Sequence, residues 1–396
     1  MISRRVSFCT AALAAALIWS LPQPASAQTQ ARPYAKWFKY SSDIDKVWDV
    51  VGDPAKPMEV SIRRKESQKG ALKRVLVLYP RPSSAYDIAI TEMLRVFMSK
   101  ELNTELSVIN FELNDQRGKD SLKSAEASKY DLVIAMGSES AAWLYKNYLN
   151  GALPVVTVCS KDPVQLGQIK DYESGSKTNF AYTSLNVPVE VQMAYVRDLK
   201  SDLKNIAILV DSKNISAVQT QAEPIAAYAK EKGIQIIWGA IKDPAKAREE
   251  LEVIMPDAVR KMRQNDPDLS KSLFWITGST SVFKEIRTIN QHADRVPVVS
   301  VVPEIVTAGP DSAAIGIGIS FESNAQLAGV YAAKVLNGTK AGDLKVGLVS
   351  PPDVAISFLK AREIGLRVPF SYFEIASFIY DYDGKPVRTV ARALEN

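Results

Sequence analysis

A chain of 396 residues with 46% hydrophobic content has room for two domains of ordinary size with packed cores. Its formal charge of +5 falls to about +3 when Arg4 and Arg5 are removed with a leader, and charges of both signs are interspersed, so there is no concentrated basic face for nucleic acid. The single histidine, His292, removes most zinc sites and most Ser-His-Asp or Cys-His arrangements, so neither a metal nor another cofactor is expected.

Arg4 and Arg5 precede an apolar run over residues 11–21 and then Ala25-Ser26-Ala27, a small-x-small cleavage pattern. Residues 1–27 therefore read as a signal peptide cleaved after Ala27, which places the mature protein in the periplasm. Phe8 falls one place late for twin-arginine export, which favours ordinary secretion. No other stretch reaches the roughly 18 consecutive apolar residues of a membrane span, so an integral membrane protein is not expected. Cys9 leaves with the leader. Cys159 then has no partner for an internal disulfide, and Val156 and Val158 mark it as a small buried hydrophobe at a strand end.

Residues 28–70 form an N-terminal extension to which no function is assigned. Within it, residues 42–51 carry Ile44, Val47, Trp48 and Val51 at helical spacing, and Arg63-Arg64-Lys65 reads as a solvated charge run. From Lys73 the alternation is regular: a strand over 74–79, a helix over 84–100, a strand over 106–111, a helix near 119–128, a strand over 132–136, a helix from 140 to 149 and a strand over 154–158. Strands separated by helices of this size predict a parallel sheet covered on both faces.

Residues 178–191 read as a crossing. A second series follows: a strand over 206–210, a helix kinked at Pro224 and ended by Gly233, a strand over 234–238, a helix that Asp243-Pro244 opens and Pro256 breaks, and strands over 273–276 and 298–302. The tail shows a helix over 320–336 closed by Asn337-Gly338, a strand over 345–349, a helix opened by Pro351-Pro352-Asp353 and closed by Gly365, and a hairpin turn at Asp383-Gly384. The matching order of the two halves predicts an α/β fold of two similar parallel-sheet lobes.

One motif occurs in both halves. Asp131-Leu132-Val133-Ile134-Ala135-Met136-Gly137-Ser138-Glu139-Ser140 and Ser272-Leu273-Phe274-Trp275-Ile276-Thr277-Gly278-Ser279-Thr280-Ser281 each carry an apolar run into Gly-Ser-x-Ser at the start of a helix. Free N–H groups and the helix dipole make such a turn a place to hold an anion, although the same residues also make an ordinary capped turn. Gly316-x-Gly318 lacks the third glycine of a dinucleotide fingerprint, and Gly137-Ser138-Glu139-Ser140-Ala141 is not a nucleophile elbow.

The first copy of this motif, Pro154-Val155-Val156 leading to Lys161-Asp162-Pro163-Val164, Asn337-Gly338-Thr339-Lys340-Ala341-Gly342-Asp343-Leu344, and Ala361-Arg362-Glu363-Ile364-Gly365-Leu366 stand in an order that resembles the type I periplasmic binding proteins. The resemblance is to the solute-binding components of ABC transporters that include tryptophan- and tyrosine-binding members. It covers residues 73–369; the extension, the aromatic tail over 370–382 and Ile315-Gly316-Ile317-Gly318-Ile319-Ser320 depart from it.

The resemblance implies two lobes joined by three crossings: residues 71–182 with 305–348, and residues 183–304 with 349–396. It also implies a small-molecule solute in the cleft, a membrane ABC permease as partner, and no catalysis. Loops after the strands then supply the candidate ligand-binding residues: Ser83 and Ser84; Gly137, Ser138 and Ser140; Lys161 and Asp162; Thr183; Asp211 and Ser212; Thr277, Ser279 and Thr280; Pro303 and Glu304. Ser138 and Ser140, with Ser83 or Ser84, would take a carboxylate; Asp162, Asp211 or Glu304 would take an ammonium; Tyr86, Tyr182 and Trp143 are the rings available to line the cleft. A ligand-sensing partner of a membrane receptor or kinase, and a hydrolase built on Ser138, are the alternatives.

Overall fold

The computed structural model describes residues 29–31, 35–66 and 68–389. The expected signal peptide and its cleavage site lie outside them.

Two separate sheets carry the fold. In the first, Lys73–Tyr79 lies at the centre, with Thr104–Asn110 on one side and Leu132–Met136, Val155–Val158 and Phe180–Ala181 on the other, all parallel. Leu132–Met136 is buried at every position, as a strand covered on both faces requires. Helices Ser84–Ser99, Asp115–Ala127 and Gly137–Tyr148 connect these strands.

The N-terminal extension completes this sheet. Trp48–Asp53 and Lys56–Arg64 form an antiparallel hairpin whose second strand pairs with Thr104–Asn110, so an edge that would otherwise present unpaired backbone groups is covered. The helix expected over 42–51 is replaced by a single 3-10 turn, Ser42–Lys46, and the hairpin. Trp48 and Val50 alternate with more exposed neighbours, and tertiary pairing overrides the weak helical spacing. Arg64, expected in a solvated run, lies 4.9 Å over the Trp48 ring.

The second sheet runs Gln235–Ile241, Asn205–Asp211, Ser272–Ile276, Val298–Ser300, Ile315–Gly318, Asp353–Ser357, Phe378–Tyr380, Pro386–Thr389. Its first five strands are parallel, and Asp353–Ser357 is antiparallel to Ile315–Gly318. Several expectations change here. Pro351-Pro352-Asp353 opens a strand, because residues 353–357 find a partner edge; the helix is Phe358–Ile364, closed by Gly365 in the left-handed region at φ 72°. Pro256 sits inside helix Ala247–Met262, which continues past it. Ahead of Pro224 the backbone takes a π-helical turn, Val218–Ala222, before the regular helix Glu223–Glu231. Asp383-Gly384 does form the turn between Phe378–Tyr380 and Pro386–Thr389.

The chain passes between the sheets three times: between Ala181 and Val189, between Gly318 and Phe321, and between Leu348 and Asp353. Thr183–Ser184 and Gly347–Leu348 pair in parallel along this connection. A boundary at residue 305 is too early, since Ile315–Gly318 is hydrogen-bonded within the second sheet. Helix Phe321–Leu336 then returns to pack on Ser84–Ser99, where Gly329 lets the backbone approach Val96; a Cβ there would lie 2.9 Å from the valine Cβ. Among the described residues no helix is long and apolar enough to cross a membrane.

Candidate functional site

Parallel strands place their following loops along one edge of each sheet, and here those edges face each other. Between them lies a cavity of about 480 Å³. The first lobe contributes Arg81, Ser83 and Tyr86 after its central strand, Ser138 and Glu139 at the next helix start, and Cys159 and Lys161 after Val155–Val158. The second lobe contributes Asp211, Asn214 and Gln221, then Gly278, Thr280, Ser281 and Phe283. Leu185, Ile319 and Phe321 line it from the connections.

Of the ligand-binding residues singled out from sequence, Ser83, Ser138, Lys161, Asp211 and Thr280 line this cavity. Ser138 Oγ accepts the backbone N–H of Lys161 at 2.9 Å, which leaves its own proton to donate. Ser140 is fully buried behind it, with no partner for its Oγ. Residues two apart on a helix point to opposite sides, so both serines cannot face one ligand. Gly137 is also behind the wall, held at φ 79° against the Tyr86 hydroxyl; a Cβ would lie 2.0 Å from that oxygen. Ser84 is the exposed first residue of its helix and turns away.

Four further candidates are occupied in holding the structure. Asp162 accepts from the N–H groups of Val164 and Gln165 at 2.9 and 3.0 Å and from the Tyr172 hydroxyl at 2.6 Å, so it caps a turn. Thr183 donates to the Thr157 carbonyl at 2.8 Å, and Thr277 donates to the Leu209 carbonyl at 3.0 Å. Ser279 Oγ accepts from Asp211 N–H at 3.3 Å. Glu304 lies beside the cavity, bonded to Phe321 N–H, with Oε2 buried and unpartnered. Burial, together with the charges of Asp353 and Glu322, pushes its carboxyl up to about 8, against the pull of the Phe321 N–H.

Of the charged groups lining the cavity, Lys161, Asp211, Lys213 and Lys284 have no ion-pair partner among the described residues, and of these only Asp211 and Lys161 are buried. Asp211 is bonded by neutral donors, Lys213 N–H at 2.9 Å and Ser281 Oγ at 2.8 Å. Lys161 is 8% exposed, and burial lowers its ammonium to about 8. Its Cε comes 3.5 Å from where a Cβ on Gly278 would sit, so the side chain reaches from the first lobe to the second. Gln221, beside it, accepts the Gly278 N–H at 2.7 Å.

Of the expected rings, Tyr86 lines the cavity. Tyr182 stacks on Phe180 at 5.4 Å, away from it, and Trp143 packs on Phe111 and donates to Asp115. The rings that sequence reasoning missed are Phe283 and Phe321. Phe283 ends the short turn Thr280–Phe283 and Phe321 opens the long helix Phe321–Leu336, and the direction of each ring is set by tertiary packing. Among the described residues no group of three or more His, Cys, Asp and Glu side chains is placed to hold a metal ion.

The profile of a family described as ABC transporter substrate binding protein matches residues 103–373. The chain belongs to this family. A tyrosine-binding protein of Clostridioides difficile (strain R20291) is 22% identical over 247 residues, 62% of this chain; the aligned region spans 66% of that relative's own length. Among solved structures, an ABC domain in complex with L-Trp from Streptococcus pneumonia superposes with a TM-score of 0.61 at 18% identity, covering 78% of this chain and all of that one. The ligand-free, open structure of a substrate-binding protein with adhesive properties from Clostridium difficile gives a TM-score of 0.58 at 18% identity, covering 78% and 99%. The two-lobed binding-protein fold is therefore that of this ABC transporter substrate-binding protein, and the cavity described above occupies the cleft between its lobes.

Proposed function

We propose that this substrate-binding protein takes a small organic solute, an amino acid or a related carboxylate, into the cleft outside the cytoplasm and delivers it to the membrane permease of an ABC transporter. The observation that carries this reading is the composition of one cavity between two lobes. Strand-end loops of both lobes wall it, polar groups from each converge on it, and the rings of Tyr86, Phe283 and Phe321 supply an apolar wall. Asp211 suits an ammonium, while Ser138 and the start of helix Gly137–Tyr148 suit an acidic group. A micromolar complex needs about 8 kcal/mol, and burial of one solute ring of roughly 150–250 Å² supplies about 4–6 kcal/mol before association costs. The tyrosine-binding relative and the similar structure in complex with L-Trp support an aromatic member of the class. Lobe rotation about the three connections would close the cleft, with the solute stabilising the closed arrangement.

Ser138 has no imidazole beside it, since His292 lies on helix Ile286–His292 with Nδ1 3.0 Å from the Thr288 carbonyl. The hydrolase alternative therefore lacks a histidine base at the cleft. The test is calorimetry and thermal shift on refolded, ligand-free protein against the amino acids and small carboxylates. A single class binding at one site per chain is expected, and no response to any of them would refute the reading.

A further inference from the structure

We propose that the solute carries an acidic group that Lys161 receives at the seam between the two lobes. This rests on the reading of the cleft as the solute site and goes beyond it in naming the group that is recognised. The geometry starts from a lysine that is more than nine-tenths buried, lines the cavity, and among the described residues has no carboxylate in ion-pair reach. A buried cation without a counter-ion is costly, and the cost is relieved when a ligand supplies the anion.

The groups around it leave that role vacant. On the first lobe, Glu139 is engaged by Arg81, and burial keeps the Tyr86 phenol and the Cys159 thiol protonated far above neutrality. On the second lobe, Glu285 pairs with Arg248 at 3.0 Å, Lys213 and Lys284 are cations, and Asp211 is bonded by its own loop and Ser281. Ser138 Oγ, whose acceptor side is used by Lys161 N–H, can donate to the same anion, and the Lys161 side chain spans the seam towards Gly278 and Gln221. An acid held there would touch both lobes.

Burial lowers the Lys161 ammonium to about 8, so at that pH about half the free protein lacks the proton; pairing with an anion restores it. Uptake of about half a proton per solute is expected at pH 8 and close to none at pH 6.5, and affinity should fall towards tenfold per pH unit above 8. Glu304 also titrates near pH 8, so Glu304→Gln serves as a control that leaves the uptake in place.

The probes are L-tryptophan and L-tyrosine with their amides, compared for affinity at pH 6.5, where the amides keep ring and ammonium but lose the acid, and benzoate against benzamide at both pH values. Calorimetry in two buffers of different ionisation enthalpy at pH 6.5 and 8 reads the protons taken up. Acids are expected to bind about 100-fold or more tightly than their amides, and Lys161→Met to abolish both that preference and the uptake. Lys161→Arg should keep a preference for acids without proton uptake, because its charge does not titrate. Trace acetylation of Lys161 followed by peptide mass spectrometry gives a readout in the ligand-free protein: half-maximal reactivity near pH 8, and protection by acids. Equal binding of acid and amide, or uptake that persists in folded Lys161→Met, would overturn the inference while leaving the solute-binding reading intact. Failure of every acid and neutral solute to bind wild type would overturn both.

Discussion

Replacing Glu304 by glutamine should reshape the dependence of stability on pH. In the folded protein the carboxyl is raised from 4.5 to about 8, chiefly by burial, with Asp353 and Glu322 adding like charge. The native state therefore holds this proton more tightly than the unfolded chain, and stability is lost as pH rises from 4.5 towards 8. At about 1.4 kcal/mol per pH unit, the penalty reaches about 4 kcal/mol at pH 8 and about 3 kcal/mol at pH 7. Glutamine keeps an oxygen to accept Phe321 N–H but places an amide where Oε2 has no partner, which costs about 1–3 kcal/mol at every pH. The variant should thus be less stable than wild type at pH 4.5 and more stable at pH 8, the difference moving by about 3–4 kcal/mol between them. Urea denaturation of ligand-free protein at pH 4.5, 6 and 8 measures this directly. Parallel pH profiles for the two proteins would refute the assignment of a buried, neutral carboxyl.

Gly137→Ala meets both a positive φ and the Tyr86 hydroxyl, so it should lower stability by about 2 kcal/mol or more, and Tyr86→Phe in the same chain should return part of the loss in a double-mutant cycle of thermal melts. Trp48→Ala empties a site buried to 1% exposure beneath Arg64 and should cost about 3–5 kcal/mol in chemical denaturation without changing the solute bound, because the extension lies on the sheet edge away from the cleft. Asp162→Ala should lower the melting temperature through three lost hydrogen bonds yet leave solute affinity within about threefold. Asp211→Asn should do the reverse, weakening an amino-acid solute about 10-fold or more by calorimetry while barely moving the melting temperature.

The strands were legible because uninterrupted apolar runs such as Leu132-Val133-Ile134-Ala135-Met136 have few structural solutions besides a strand covered on both faces. Their order then located the cleft. Misreadings occurred where a local signal competed with a partner distant in sequence. Pro351-Pro352-Asp353 is a credible helix start, yet Asp353–Ser357 pairs with Ile315–Gly318 across the sheet. Trp48 and Val51 stand at helical spacing from Ile44 and Val47 but lie in a hairpin on the edge at Thr104–Asn110. In the site, sequence could name loops but not directions. It could not show that Asp162 spends its oxygens on its own turn, nor that Lys161, one residue earlier, has no acid to pair with among the described residues. Those facts depend on which side chains from other segments fill the space, and no spacing rule encodes that.

The same placement of polar groups decides where the lobes can move. The second passage of the chain is clamped by second-lobe acids, because Asp353 accepts Ser320 N–H at 3.0 Å and Glu304 accepts Phe321 N–H. One turn later Asn324 belongs to the first lobe: its Oδ1 accepts Cys159 N–H at 2.7 Å, and its Nδ2 donates to the Ser184 carbonyl at 3.1 Å. The change of allegiance falls within the first turn of helix Phe321–Leu336. The N–H groups there have no intrahelical carbonyl, and Ser323 N–H is held by Ser320 Oγ at 3.0 Å. Side-chain acceptors can rotate with their lobe more readily than a ladder of backbone bonds can break. The rotation proposed to close the cleft would break no backbone ladder in this turn, next to Ile319 and Phe321, which line the cavity itself.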